Sequence, residues 1–544
     1  MRIKYYMLQA LLLFSFSPLM AQPGKAASPA KPKLVVGLVI DQMRWDYLYR
    51  FQSLYGTGGF NRLLKQGFSC ENTFIPYVPT YTAVGHSTVY TGSVPAYHGI
   101  VGNYWFDKSI NGSMYCTSDS TVTGLGNNGW AGKMSPKNLW VSTITDELRL
   151  STNFESKVIG IALKDRGAIL PAGHSANAAY WYDEGKWISS SFYMKALPAW
   201  VNDFNAKDLA GKYMSQDWNT LLPLEKYSQS TADDQPYELA LPGETSPTFP
   251  HRLSTNGKTK YEAFKYTPFA ASFTFDFARQ AMEEENLGKG KATDFLAVSI
   301  SSTDYTGHSF GPNSIEVEDS YLRLDKDVAD FLTYLDKNLG KDNYLVFLTA
   351  DHGATHVPGF LAEHRIPGGV YSNAALTTEI NNSINDLFGF KKAVLSVQNY
   401  QVYLDLAGME KNKIDIEAMK KQVIKILSAK PFITTVYETA KTGEATLPQP
   451  YKERAINGYT ASRSGDIQFV LKSGYFDGGL KGTTHGLWNP YDAHIPLLWY
   501  GWGVKQGQTN RETYMTDISA TLAGMLKIQM PSGCVGHVVT ELIK

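Results

Sequence analysis

Three apolar runs in this chain each stop at residues that bind metal ions. Leu34–Ile40 is followed at once by Asp41. Phe295-Leu296-Ala297-Val298-Ser299-Ile300 leads to Asp304 and His308, and Tyr344-Leu345-Val346-Phe347-Leu348 to Asp351 and His352. Short runs of this kind, with no polar alternation, read as strands buried on both faces of a parallel sheet. Ligands of open α/β sheets bind beyond the carboxyl ends of the strands. Three such strands side by side predict Asp, Asp, His, Asp and His at one sheet edge, a nitrogen and oxygen set that suits zinc. The fold expected is therefore α/β, with a mostly parallel central sheet flanked by helices. Any one of these residues alone is an ordinary polar strand end; the coincidence of three carries the reading.

The chain has 544 residues, enough for a large core, and 51 basic residues balance 51 acidic ones. That balance argues against a nucleic-acid partner held by a basic surface. It leaves room for a local basic pocket for a small anion. Arg2 and Lys4 precede an apolar stretch from about Met7 to Phe16, and Ala21 ends a small-residue site. This pattern predicts a signal peptide over 1–21 and a flexible leader over 22–33, so a periplasmic or secreted protein. The apolar stretch is short for a bilayer span and no second one follows, so no stable membrane anchor is expected. Cys70, Cys116 and Cys534 fit no cysteine zinc motif; in an oxidising compartment Cys70 with Cys116 is the expected disulfide.

Further elements frame these strands. Residues 77–87 read as a loop entering a helix, with Pro79 and Thr80 as stop and cap. Lys157 to Leu163 is a fourth apolar strand, ending in Lys164-Asp165-Arg166-Gly167. From about 173 to 267 the periodicity fades and a long insertion over the active edge is expected. Tyr261 to Asn286 reads as helix. Ser314 to Leu339 is an amphipathic helix with Val317, Tyr321, Leu324, Val328, Phe331 and Leu335 on one face. A second insertion, about 367–480, reads as a small β-α-β unit: strands near 401–404 and 466–471, with a helix at 415–427. The chain returns to the main sheet near 495–500 and closes with a helix near 518–526. The expected catalytic domain is 34–544, interrupted by these two insertions.

The fragments VIDQMRWDY, PTYTAVGHSTVYTG, STDYTGHSFGP, TADHGAT and GTTHG, in this order, resemble the alkaline phosphatase superfamily. They run across nearly the whole mature chain. Within it, Thr82, Asn103, Lys164 and Arg166 are similar to the site of the phosphate-irrepressible (PafA-type) alkaline phosphatases. The resemblance implies two zinc ions per chain. One would take Asp304, His308 and His485; the other would take Asp41, Asp351, His352 and the oxygen of Thr82. It implies Thr82 as nucleophile, a phosphothreonine intermediate, and Asn103, Lys164 and Arg166 as ligands of the phosphoryl oxygens. In that branch a lysine fills the space of the third, magnesium site of the classical bacterial enzyme; Lys164 matches it, so no magnesium site is expected.

The implied reaction is hydrolysis of small phosphate monoesters, releasing inorganic phosphate. Chemistry supports the pattern. A threonine hydroxyl is a weak nucleophile unless activated, and metal coordination activates it; two metals clamp the attacking and leaving oxygens of an in-line displacement. Taken singly, Thr82 also reads as a helix cap, Asn103 as a turn residue, and Lys164 and Arg166 as a solvated strand end. His356, His86 and His494 read as structural or as supports behind the ligands. The competing enzyme reading is a nucleotide pyrophosphatase/phosphodiesterase of the same superfamily, which offers an apolar wall to the second ester group in place of paired cations. A remoter one is a phosphate- or metal-binding protein without turnover. None of the cysteines has the Cys-x-Pro-x-Arg context of a sulfatase. Gly257-Lys258-Thr259 lacks the first glycine of a phosphate loop, since residue 252 is Arg. A monomer is expected.

Overall fold

In phase from first residue to last, the strands Leu34–Ile40 and Asp294–Ile300 pair in parallel, Leu34 opposite Asp294 and Ile40 opposite Ile300. The computed structural model describes residues 31–253 and 257–544. Val39 lies opposite Thr349 of Tyr344–Thr349 on one side, and Ser299 opposite Ala162 of Val158–Ala162 on the other. Four parallel strands thus end level with one another, so the residues that follow them emerge at one edge. All four strands are buried at every position, which is why their sequences show no polar alternation. Each buried Val, Leu, Ile or Phe contributes roughly 1.5–3 kcal/mol relative to exposure.

Among the described residues the sheet has ten strands. Its centre runs Tyr344–Thr349, Leu34–Ile40, Asp294–Ile300, Val158–Ala162, Ala178–Asp183, all parallel. Leu497–Gly501 and Lys186–Ser190 add antiparallel strands on either side of that block. The helix Ile315–Leu339 buries the whole predicted apolar face, and Ser314 caps it by accepting from the Val317 amide at 3.2 Å. Among the described residues no helix is long and apolar enough to cross a membrane.

Several expectations need correction. Residues 173–267 are not one irregular insertion, because Ala178–Asp183 and Lys186–Ser190 are strands of the main sheet. Their aromatic side chains are buried irrespective of face, Trp187 stacking on Phe277 at 4.4 Å, so no period of two shows. The helix expected over 261–286 is two helices, Lys260–Phe264 and Phe269–Glu284, separated at Thr267-Pro268, where proline lacks the amide a continuous helix needs. The second insertion is more than β-α-β. It is a four-stranded antiparallel sheet with helices Asn373–Phe388 and Ile416–Ser428 over a core of its own, including Ile380, Met419, Val423 and Phe469. The strands missed, Val394–Gln398 and Ile433–Glu438, are only half buried.

The three cysteines are free. Cys70 ends a strand of the main sheet, whereas Cys116 follows the separate Tyr104–Tyr115 hairpin; proximity in sequence does not bring their β-carbons together. The expected signal peptide and most of the expected leader lie outside the described residues. Pro32 is buried and the Lys33 amide donates to the Asn343 carbonyl at 2.7 Å, so the packed chain begins ahead of residue 34.

Candidate active site

The level strand ends deliver their side chains to one buried cluster. Two groups converge, Asp41 with Asp351 and His352, and Asp304 with His352 and His485; within each, the ligand atoms lie within 4.8 Å of one another. His308 follows Asp304 by one turn of the helix Ser302–Phe310, and its Nε2 is 3.2 Å from Asp304 Oδ1. His352 stands between the two groups, its ring stacked on that of His485 with centroids 3.4 Å apart. All six predicted Asp and His ligands are therefore together, with His352 nearer to both halves than the implied division had it.

Each histidine is oriented by a backbone carbonyl at Nδ1. His308 donates to Thr483 at 2.7 Å, His485 to Thr80 at 2.7 Å and His352 to Gly353 at 3.0 Å. That assigns the proton to Nδ1 and turns each Nε2 lone pair toward the cluster, the arrangement found behind metal-bound histidines. Asp41 Oδ1 and Asp351 Oδ2 are buried with no hydrogen-bond partner. Buried carboxylate oxygens without donors are costly unless a cation serves them. The donor set thus fits divalent metal ions, and its imidazole and carboxylate chemistry suits zinc.

The charge pattern agrees. Burial, and then the charge of Asp351, push Asp41 well above the usual carboxylate range. Burial acts the same way on Asp304, but His308 and Lys164 outweigh it and hold the group well below that range. Burial and then His352 keep His485 far below its ordinary value, hence neutral and able to offer a lone pair. Burial alone would discharge Lys164, yet Asp304 and Asp41 hold its ammonium above its ordinary range.

Thr82 is the first residue of the helix Thr82–Thr91, whose cap is Tyr81 and not Thr80. The Thr80 hydroxyl instead donates to the Leu487 carbonyl at 2.8 Å. No side chain caps this helix, so the plain capping role for Thr82 is excluded and its hydroxyl is free for chemistry. Its Oγ1 lies 3.3 Å from His352 Nε2. Gly85 permits this approach: a Cβ there would overlap the backbone of Asp351. Asn103 Oδ1 accepts from the Ala83 amide at 2.9 Å, tying that side chain to the nucleophile's own turn.

Lys164 Nζ bridges the two halves, 2.7 Å from Asp41 Oδ2 and bonded also to Asp304 Oδ2. Arg166 is held by the Tyr115 hydroxyl at 3.1 Å, and its Nε is buried without a partner. Tyr115 in turn donates to Asp165 Oδ1 at 2.7 Å. His356 lies off the cluster, between Arg44 and Asn313, as a structural residue should. His494 stacks between Trp45 and Phe74.

Three further residues support the cluster; the sequence reads His86 as structural or as a support and leaves the other two unmarked. Gln42, in the left-handed region at φ 65°, donates from its amide nitrogen to Asp351 Oδ1 (3.1 Å) and from its side chain to Asp304 Oδ1 (2.6 Å). It cross-links the two halves; Gly307 leaves the space its side chain occupies. His86 Nδ1 is 3.3 Å from Asp351 Oδ2, its hydrogen directed to the Thr82 carbonyl at 2.9 Å. Tyr115 is the third. Only Gln42 had a signal in sequence, its position directly after Asp41.

The chain matches the family model for type I phosphodiesterase / nucleotide pyrophosphatase over residues 35–491. It is 53% identical over 520 residues to the alkaline phosphatase PhoV of Synechococcus elongatus, covering 95% of this chain and 94% of that one. It is 49% identical over 524 residues to the alkaline phosphatase PafA of Elizabethkingia meningoseptica, covering 95% and 96%. The crystal structure of wild-type PafA matches with a TM-score of 0.93 over 95% of this chain and 100% of that chain.

Proposed function

This chain belongs to the type I phosphodiesterase / nucleotide pyrophosphatase family of the alkaline phosphatase superfamily, and we propose that it hydrolyses phosphate monoesters through a phosphothreonine at Thr82. It is a phosphatase, in line with its relatives at about half identity. The observation that carries the finer reading is the uncapped Thr82 hydroxyl, 3.3 Å from His352 Nε2 in a buried cluster whose orphaned carboxylate oxygens call for cations.

In this reading Asp304, His308 and His485 would hold one zinc, and Asp41, Asp351 and His352 with Thr82 Oγ the other; bound there, the ions would supply Lewis acidity that lowers the pKa of the hydroxyl and offsets negative charge at the reacting phosphoryl group. The Thr82 hydroxyl gives its proton to solvent as its Oγ attacks phosphorus, the bond to the ester oxygen breaks, and the alcohol leaves with a proton taken from solvent. Water then attacks the phosphothreonine, releasing inorganic phosphate and restoring Thr82. Arg166, which lines the cleft beside Lys164, offers guanidinium N–H groups to two non-bridging oxygens. The Asn103 amide donates to another, since its oxygen is engaged by Ala83. Lys164 holds the carboxylates of both halves in place and keeps a charge beside the phosphoryl group; no magnesium site is expected where it lies.

A domain spanning 34–544, export by the N-terminal segment and a monomeric state complete the proposal, with small phosphate esters as partners and no nucleic acid. The rival within the family, a nucleotide pyrophosphatase/phosphodiesterase, would put an apolar wall where Lys164 and Arg166 stand. Rates on a phosphate monoester and a matched diester decide between them. The monoester should be hydrolysed much faster; a faster diester moves the chain to the phosphodiesterase reading.

A further inference from the structure

A cleft of about 570 Å³ opens off the site and shares Lys164 and Arg166 with it. Beyond those cations its walls combine aromatic rings with carboxylates, Trp130, Tyr261 and Tyr305 together with Asp183, Glu184 and Glu262. Trp130 is 56% exposed, backed by the Tyr115 ring at 5.3 Å. An exposed indole braced from behind offers a firm face to a ligand. Tyr261 is braced too: its hydroxyl donates to Asp208 at 3.0 Å and its carbonyl accepts from Tyr182 at 2.9 Å. Lys265 lies 2.6 Å from Glu262, so its charge is already answered within the wall.

The composition of the wall selects the ligand. Aromatic faces carry negative charge density and attract the C–H face of a saturated ring. Carboxylates accept strong hydrogen bonds from hydroxyls. A purely apolar leaving group would strip water from the carboxylates without replacing it. A second anionic group would meet four carboxylates, those of Asp165, Asp183, Glu184 and Glu262, against one further ammonium that is already paired. A neutral ring bearing several hydroxyls satisfies both kinds of surface. We propose that this cleft is a leaving-group subsite for the sugar of a sugar phosphate, with its phosphoryl group on Lys164 and Arg166. The proposal rests on the monoesterase reading above and names its substrate class.

The test compares kcat/KM for glucose 6-phosphate with that for methyl phosphate, whose leaving group is too small to reach the cleft. Full-length protein, Trp130→Ala and Glu262→Gln are measured side by side. The ratio of the two values should fall by roughly three- to tenfold in each variant, the size of one aromatic or polar contact. A ratio that does not move in either variant overturns the subsite. So does a loss on phenyl phosphate in Trp130→Ala that leaves glucose 6-phosphate untouched, which would make the cleft an aryl site. If the parent protein releases no phosphate from any monoester, the monoesterase reading itself is overturned, and the subsite with it.

Discussion

Asp41 Oδ1 and Asp351 Oδ2 are both fully buried, both lack a hydrogen-bond partner, and lie 3.5 and 3.4 Å from Nε2 of the same histidine, His352. Two carboxylates facing one neutral ring in a dry site repel each other, and burial makes the repulsion worse. A divalent cation among the three groups removes that cost. The donor atoms are therefore held in a geometry that fits a bound cation.

The first prediction follows from that geometry. Elemental analysis should find close to two zinc ions per chain and little magnesium. Chelation should abolish phosphate release and lower Tm, because an ion bound only by the folded state contributes about 4 kcal/mol at a free concentration a thousand times its Kd. Zinc should restore both. Full activity with magnesium alone would sink the assignment.

Thr82→Ala should cut monoester hydrolysis by roughly three orders of magnitude or more, the scale on which losing a nucleophile acts. Circular dichroism should show the fold intact, since the Thr82 side chain caps nothing. Thr82→Ser should keep much of the rate. Acid quenching during turnover, followed by mass spectrometry, should find phosphate on Thr82; near-normal turnover in Thr82→Ala would mean that water attacks directly.

The four parallel strands that end at the cluster were legible because they are buried on both faces and their apolar runs are unbroken, whereas Ala178–Asp183, next to them in the same sheet, is built from aromatic residues and was not. The buried Asp and His cluster was legible in part because Asp41, Asp304, His308, Asp351 and His352 all come soon after such runs. His485 was found only by resemblance, since it sits on a loop whose placement depends on the Thr80 carbonyl, far away in sequence. Gln42 was missed because its role needs a backbone at positive φ and two carboxylates brought in from distant strands. The half-buried strands of the accessory sheet carry too little apolar contrast to be seen. The free cysteines show the converse: closeness along the chain said nothing about pairing in space.

Gln42→Ala should weaken metal binding without touching a metal ligand. Loss of a residue that orients ligands typically costs ten- to a hundredfold in affinity, roughly. Competition with a zinc-binding dye would measure it, and saturating zinc should recover most of kcat. Unchanged affinity would reduce Gln42 to a turn residue.

His98 sets a pH limit on stability. It is buried, accepts at Nδ1 from the Ile100 amide at 3.1 Å and sits 3.2 Å from the Thr88 hydroxyl at Nε2, so it is held neutral. Burial, and then the charge of Arg463, lower its pKa to about 3. Unfolded chains protonate histidine below about 6.5, whereas the folded protein does not until about 3. The unfolded state therefore binds the extra proton across that window, and stability falls as pH falls, by up to about 1.4 kcal/mol per unit from this group. His98→Gln keeps a donor and an acceptor but does not titrate. Urea midpoints at pH 7 and pH 5 should converge in the variant relative to the parent; parallel shifts in both would remove His98 from the account.

The last prediction separates the two family activities through Arg166. Lys164 is a poor probe, because removing it leaves Asp41 and Asp304 facing each other and disturbs the metal frame. Arg166 touches neither carboxylate; the Tyr115 hydroxyl holds it, and its buried Nε has no partner. Its guanidinium lines the cleft beside Lys164, a position that suits the non-bridging oxygens of a dianionic monoester. Losing hydrogen bonds to a charged partner costs about 1.5–3 kcal/mol, or roughly ten- to a hundredfold in rate. Arg166→Ala should therefore depress kcat/KM for a monoester by that factor. A diester carries one charge and replaces one of those oxygens with a bulky ester, so its hydrolysis, slow in the parent, should fall much less. Equal losses on both substrates would mean that Arg166 supports the fold around Tyr115 and Asp165 and does not bind the phosphoryl group.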